Sequence, residues 1–179
     1  MVCELEGYSL GCKVIVSSSQ ESAAVNRNRG LDQCKGDIVI QVDDDISGFY
    51  DGWWKDLARP LLFGKDVVMV SARLIRDDGS FAEMLGGCYD KSPGTVSVIT
   101  KELPSACVAF RNDGTRFDEA YRGSGYEDTD YCAQLRKKYP NGKFQINNRC
   151  RLVHLNEQKN QAGPNLEHNN AYFAKKWKK

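Results

Sequence analysis

The chain has no apolar run of ~20 residues and a mean hydropathy of −0.54, which excludes a membrane-spanning helix. Met1–Leu10 carries Glu4 and Glu6 and lacks the basic-then-apolar form of a signal peptide, so the expected location is cytoplasmic. No CxxC spacing occurs among Cys3, Cys12, Cys34, Cys88, Cys107, Cys132 and Cys150, an odd and scattered set. That pattern indicates neither a disulfide framework nor a structural zinc site. Cysteines inside apolar runs, such as Ala106-Cys107-Val108-Ala109, are expected to be small buried hydrophobes. There is no internal repeat and no linker, and 179 residues are too few for two ordinary domains. A single domain over 1–179 follows, with a basic tail from about 156.

The net charge of +1 conceals a division. Residues 1–136 hold 15 basic and 22 acidic groups, whereas 137–179 hold 10 basic and 2 acidic. The acidic part could hold a cation. The tail ending Lys175-Lys176-Trp177-Lys178-Lys179 reads either as a solvated terminal helix or as a surface drawn to a phosphate-rich partner.

Short β-branched runs alternate with helical segments. Lys13–Val16 reads as a buried strand closed by Ser17-Ser18-Ser19. Ser22 is a natural N-cap for a helix from Ala23 to Cys34, which Lys35-Gly36 would close. Asp37–Val42 is a second strand, and strand, helix, strand at this spacing forms a βαβ unit with parallel strands. Further on, Gly52–Phe63 is helical with Pro60 expected to kink or end it, and Asp66–Ala72 is a strand. Residues 77–95 read as turns and a loop, and Ser105–Phe110 as a strand. Glu127–Tyr139 is a helix with Tyr131, Leu135 and Tyr139 on its apolar face; a turn at Asn141-Gly142 leads into Phe144–Val153, which mixes strand-like and polar residues. The expected fold is α/β, with a mostly parallel sheet and helices on both faces.

Chemistry concentrates at Asp43-Asp44-Asp45, placed where a buried strand ends and open α/β sheets bind their ligands. Three adjacent carboxylates repel one another, and a divalent ion with oxygen ligands, Mg²⁺ or Mn²⁺, relieves that repulsion. A second acidic group, Glu127-Asp128-Thr129-Asp130, opens a helix, where the helix dipole stabilises it or one carboxylate acts as a general base. His154 follows Leu152-Val153, and alone it reads as a structural histidine. His168, among Glu167, Asn169 and Asn170, is expected to be exposed.

Taken in order, these segments resemble the family 2 glycosyltransferases of the GT-A fold. The resemblance spans most of 13–155. It runs from Ala24-Val25-Asn26-Arg27-Asn28-Arg29-Gly30 through Lys35-Gly36-Asp37 to Asp43-Asp44-Asp45, then through Arg116–Tyr121 and Gly125–Cys132 to Val153-His154. It implies a Rossmann-like GT-A domain lacking the usual first strand. It also implies a metal-dependent, inverting transfer of sugar from a nucleotide-diphosphate donor, a UDP-sugar first among them, to an acceptor hydroxyl. Asp43 and Asp45 look like the outer members of the family's DxD motif. Asp43 would contact the ribose and metal region, and Asp45 would ligate Mn²⁺ or Mg²⁺ together with His154. Family members differ in which carboxylate of such a run reaches the ion, so Asp44 is a further donor-binding position. Asp128 would be the catalytic base, and Arg27, Asn28 and Gly30 would face the nucleotide.

The acceptor class implied is a glycan, a lipid-linked sugar or another hydroxyl, with anionic acceptors including nucleic acid allowed by the basic tail. Trp53, Trp54, Tyr89, Tyr121 and Tyr126 are candidates for stacking on sugar rings or for core packing. Two competing readings are a catalytically silent domain that binds a nucleotide sugar or glycan, and a metal-dependent nucleotidyltransferase using the same aspartates.

Overall fold

The computed structural model describes residues 21–80, 98–99, 102–155 and 164–177. The expected strand at Lys13–Val16 and Tyr89 lie outside them. In chain order the elements are α1 (Ala23–Gln33), β1 (Ile38–Val42), β2 (Ile46–Ser47), α2 (Trp53–Phe63), β3 (Val67–Ile75), β4 (Val98–Ile99), β5 (Cys107–Arg111), α3 (Glu127–Lys138), β6 (Lys143–His154) and α4 (Pro164–Trp177).

The strands form one sheet in the order β1-β5-β3-β6-β2, with β4 also paired to β6. Among the described residues only β3 and β6 pair in parallel; β5 lies antiparallel to both β1 and β3, and β2 and β4 lie antiparallel to β6. The sheet is therefore mixed where the sequence suggests mostly parallel neighbours. The reason is β5, which inserts against the grain between β1 and β3, two strands that run the same way.

Period-two alternation assigns the two faces. Ile38, Ile40 and Val42 of β1 and Cys107 and Ala109 of β5 pack toward Trp53, Trp54, Leu57 and Leu61 of α2. The intervening Val39, Val108 and Phe110 pack with Ala24 and Leu31 of α1 and Tyr131, Cys132 and Leu135 of α3. Cys107, Cys132 and Cys150 are buried as expected, and Trp53, Trp54 and Tyr121 belong to the buried interior rather than to a sugar-binding surface.

Ser22 caps α1 as the sequence suggests, its side chain accepting from the Val25 N–H. Pro60 does not end α2, which continues to Phe63. Proline has no N–H for the carbonyl four residues back, that of Asp56. Asn147 of β6 supplies the missing donor, its Nδ2 lying 2.7 Å from that oxygen. Asn147 is placed there by an irregularity in β6, where pairing with β3 jumps from Asn147 to Arg151. The same jump changes which parity of β6 faces α2, so that Phe144 and Ile146 pack with α1 and α3 while Cys150 and Leu152 pack with α2. Asn147→Leu strands the Asp56 carbonyl, and denaturant unfolding is expected to register a loss of ~1–3 kcal/mol.

Candidate active site

The site is assembled at the end of β1. Asp43 follows Val42 directly, and its N–H donates to the Ala106 carbonyl at 2.7 Å, which fixes the start of the aspartate turn. The chain then turns into β2, whose two residues pair with the end of β6 so that Ile46 stands opposite His154. The Leu155 N–H donates to the Asp45 carbonyl at 2.9 Å. This short strand brings His154 Nε2 to 3.3 Å from Asp45 Oδ2. Asp44 is exposed on the turn.

Arg27 of α1 reaches across from the opposite side. Its Nη2 lies 3.1 Å from Asp43 Oδ2 and its Nη1 2.7 Å from Glu127 Oε1, while the guanidinium sits 5.4 Å from the centre of the Phe117 ring. Burial opposes its charge, but the carboxylates of Asp43, Glu127 and Asp128 outweigh that and hold it protonated. Glu127, itself buried, also accepts from the Gly125 N–H. One connected series of side chains therefore joins Asp43, Arg27 and Glu127 to the first turn of α3.

Asp128 stands next in that turn, half-buried, with its Oδ1 accepting the Thr129 N–H at 2.7 Å. Burial first, and then the neighbouring Glu127 charge, push its carboxyl up to about 6 against a partial counter-effect of Arg27. Asp43 is likewise raised, by burial above all and by the charge of Asp45, with Arg27 acting the other way.

Asn28, one of the residues expected to face the nucleotide, ties α1 to a neighbouring segment. Buried in α1, its side chain accepts the Phe117 N–H and donates to the Phe117 carbonyl and to Glu119 Oε1, fastening α1 to the 117–119 segment. Gly30 is buried in the same helix. Of the aromatics weighed for sugar stacking, Tyr126 is half-buried against Phe173. The exposed aromatic rings among the described residues are Phe49 and Tyr50, just after β2, and Phe63 at the end of α2. His168 is half-buried rather than exposed.

The residues present fit a divalent ion in one respect. Oδ1 of Asp45 is buried and has no hydrogen-bond donor among the described residues, a state that costs ~1–3 kcal/mol or more for a charged group unless a ligand answers it. Beside it stands the His154 imidazole. Among the described residues no group of three His, Cys, Asp or Glu side chains forms a ready-made cage. Two protein ligands would leave the remaining coordination positions to phosphate oxygens and water, as Mg²⁺-type sites commonly do.

The fold is that of the GT-A glycosyltransferases. A crystal structure of GalNAc-T7 with UDP, GalNAc and Mn²⁺ superposes with a TM-score of 0.65 at 14% identity, over 88% of this chain and 35% of that one. This chain thus spans about a third of that protein's length. No curated protein matches by sequence. Residues 2–115 match Glycosyl transferase family 2, and the chain belongs to that family. The matched span contains Arg27, Asn28, Gly30 and Asp43–Asp45, whereas Asp128 and His154 lie beyond it. No helix among the described residues is long and apolar enough to cross a membrane.

Proposed function

We propose that the chain carries the donor and catalytic site of an inverting, metal-dependent glycosyltransferase using a nucleotide-diphosphate sugar, with a UDP-sugar as first candidate. The observation that carries this reading is the buried Oδ1 of Asp45, without a donor among the described residues and beside His154, while Arg27 ties neighbouring Asp43 to Glu127, the residue before Asp128. UDP and Mn²⁺ in the GalNAc-T7 structure support the choice of ligands.

Asp45 and His154 would hold Mn²⁺ or Mg²⁺, which when bound offers Lewis-acid stabilisation of charge on the departing diphosphate. Asp43, with about a third of its side chain exposed, remains available to the donor on its free side while Arg27 fixes its orientation. Asp128, ionised above about pH 6, would take the proton from the acceptor hydroxyl as that oxygen attacks the anomeric carbon. Attack and departure on opposite faces in one displacement invert the anomeric configuration. Arg27 keeps the two carboxylate groups from repelling each other throughout.

In a thermal-shift assay, UDP with Mn²⁺ is expected to stabilise the protein by ~2.7 kcal/mol at a hundredfold excess over Kd. Asp45→Asn and His154→Ala should each remove that shift without lowering the unliganded Tm appreciably. Turnover of a UDP-sugar should release UDP. Release of UMP with sugar 1-phosphate would instead mark cleavage of the diphosphate itself, a nucleotidyl-transfer or phosphohydrolase reaction, and overturn the proposal.

A further inference from the structure

The turn that presents Asp128 is fastened from one side by several contacts of α4. Residues Gly123, Gly125 and Tyr126 all have positive φ, at 58°, 112° and 69°, and Tyr126 is the only non-glycine residue so placed among the described residues. A tyrosine holds the left-handed conformation only where its surroundings fix it. Here α4 supplies the surroundings. Asn169, fully buried, accepts the Arg122 N–H at 2.9 Å and donates to the carbonyls of Arg122 at 2.9 Å and Gly125 at 2.8 Å. Phe173 packs on the Tyr126 ring with centroids 5.6 Å apart. Leu166 and Asn165 approach so closely that a Cβ on Gly125 or Gly123 would meet them at 2.9 Å.

The end of α4 makes a second attachment. Trp177 Nε1 donates to Asp130 Oδ1 at 2.6 Å, and Lys176 Nζ lies 2.8 Å from the same oxygen and 2.6 Å from Asp118 Oδ2. Asp130 is fully buried and also accepts from Tyr121 and Gln134. It lies two residues beyond Asp128 on α3. One helix therefore holds both the turn before Asp128 and the helical turn after it.

We propose that α4 is a brace for the catalytic turn, and that Asn169 is a positioning residue that sets Asp128 toward the acceptor through the Gly123–Tyr126 backbone. The proposal rests on the reading of Asp128 as the base. It also changes the reading of the basic tail, because the Lys176 ammonium, although on an exposed residue, is paired with two aspartates of this chain.

The test compares the full chain with Asn169→Ala and the milder Trp177→Phe, which keeps an aromatic ring and removes the Nε1–H donor to Asp130. Amide hydrogen exchange at Gly125–Thr129 is expected to quicken ~10-fold or more in Asn169→Ala, less in Trp177→Phe, while Phe110 and Ile146 in the sheet stay unchanged. With a UDP-sugar and Mn²⁺, kcat for donor turnover should fall ~10–100-fold while UDP affinity stays within ~3-fold. Exchange unchanged in the turn, or quickened equally in the sheet, would overturn the brace. If exchange responds but Asp128→Asn leaves turnover intact, it is the base assignment that fails, and the positioning role of Asn169 fails with it.

Discussion

Arg27→Met is expected to cost about 3 kcal/mol of stability and to abolish UDP binding, because it leaves Glu127 buried and Asp43 partly buried with no cation between them. The figure is taken at the low end for a broken buried pair because Asp43 keeps 33% of its side chain in water, against 3% for Glu127. For a chain of this length the Tm should fall by ~6–12 °C. Arg27→Lys should recover only part of the loss, since an ammonium cannot span two carboxylates as the forked guanidinium does. The decisive measurement is a double mutant. Adding Glu127→Gln to Arg27→Met removes the stranded charge and should restore at least 1 kcal/mol, about a third of the deficit, by denaturant unfolding. Strict additivity of the two changes would mean that the bridge is not what holds the turn of α3 to the aspartate motif.

The elements that the sequence discloses are those with local signals of their own. Ser22 announces α1 by its capping chemistry, and the Ile, Val, Ile and Val of β1 announce a buried strand. What stays hidden is set by partners far away in the chain. Nothing near Cys107–Arg111 states that this strand runs antiparallel between β1 and β3, because strand direction depends on the path of the intervening residues. Pro60 reads as a helix breaker until Asn147, 87 residues later, supplies a donor to the Asp56 carbonyl. The meeting of Asp45 with His154 is implied by family resemblance alone; the residues by themselves leave His154 a structural histidine. The inward face of α4 is concealed for a chemical reason: its anchors are Asn169, Tyr172, Lys176 and Trp177, mostly polar residues that a helical pattern assigns to solvent. Asn169 is buried, and the other three turn their polar atoms onto Asp118 and Asp130 at the rim, because those aspartates and the glycine turn offer them matching partners.

Asp128→Asn is expected to lower transfer ~10²–10⁴-fold, the usual scale for loss of a general base, with donor binding little changed. The substitution is close to isosteric, and the amide oxygen can still accept the Thr129 N–H, so the geometry of the turn survives. Two pH signatures of opposite sign should accompany it. In the wild type the rate should decline ~10-fold per pH unit below about 6, as the carboxylate takes up the proton that disables it. Stability should move the other way. The folded carboxyl is raised from 3.8 to about 6, so between those values the native state binds a proton that the unfolded chain has released. Stability contributed by the protonated form is therefore present below ~pH 4 and lost as pH rises through about 6. Above pH 7 the ionised Asp128 is a burden that asparagine lacks. Because the side chain is only half-buried, the gain on substitution should be ~1–2 kcal/mol, less than the ~1.4 kcal/mol per pH unit would allow. Thermal melts of both proteins at pH 4 and pH 7.5 check this: the variant should melt a few degrees higher at pH 7.5, and the curves should converge at pH 4. A variant that melts lower than wild type at both values would show that the Asp128 charge is welcomed by its surroundings, and a carboxylate so stabilised would be a poor base.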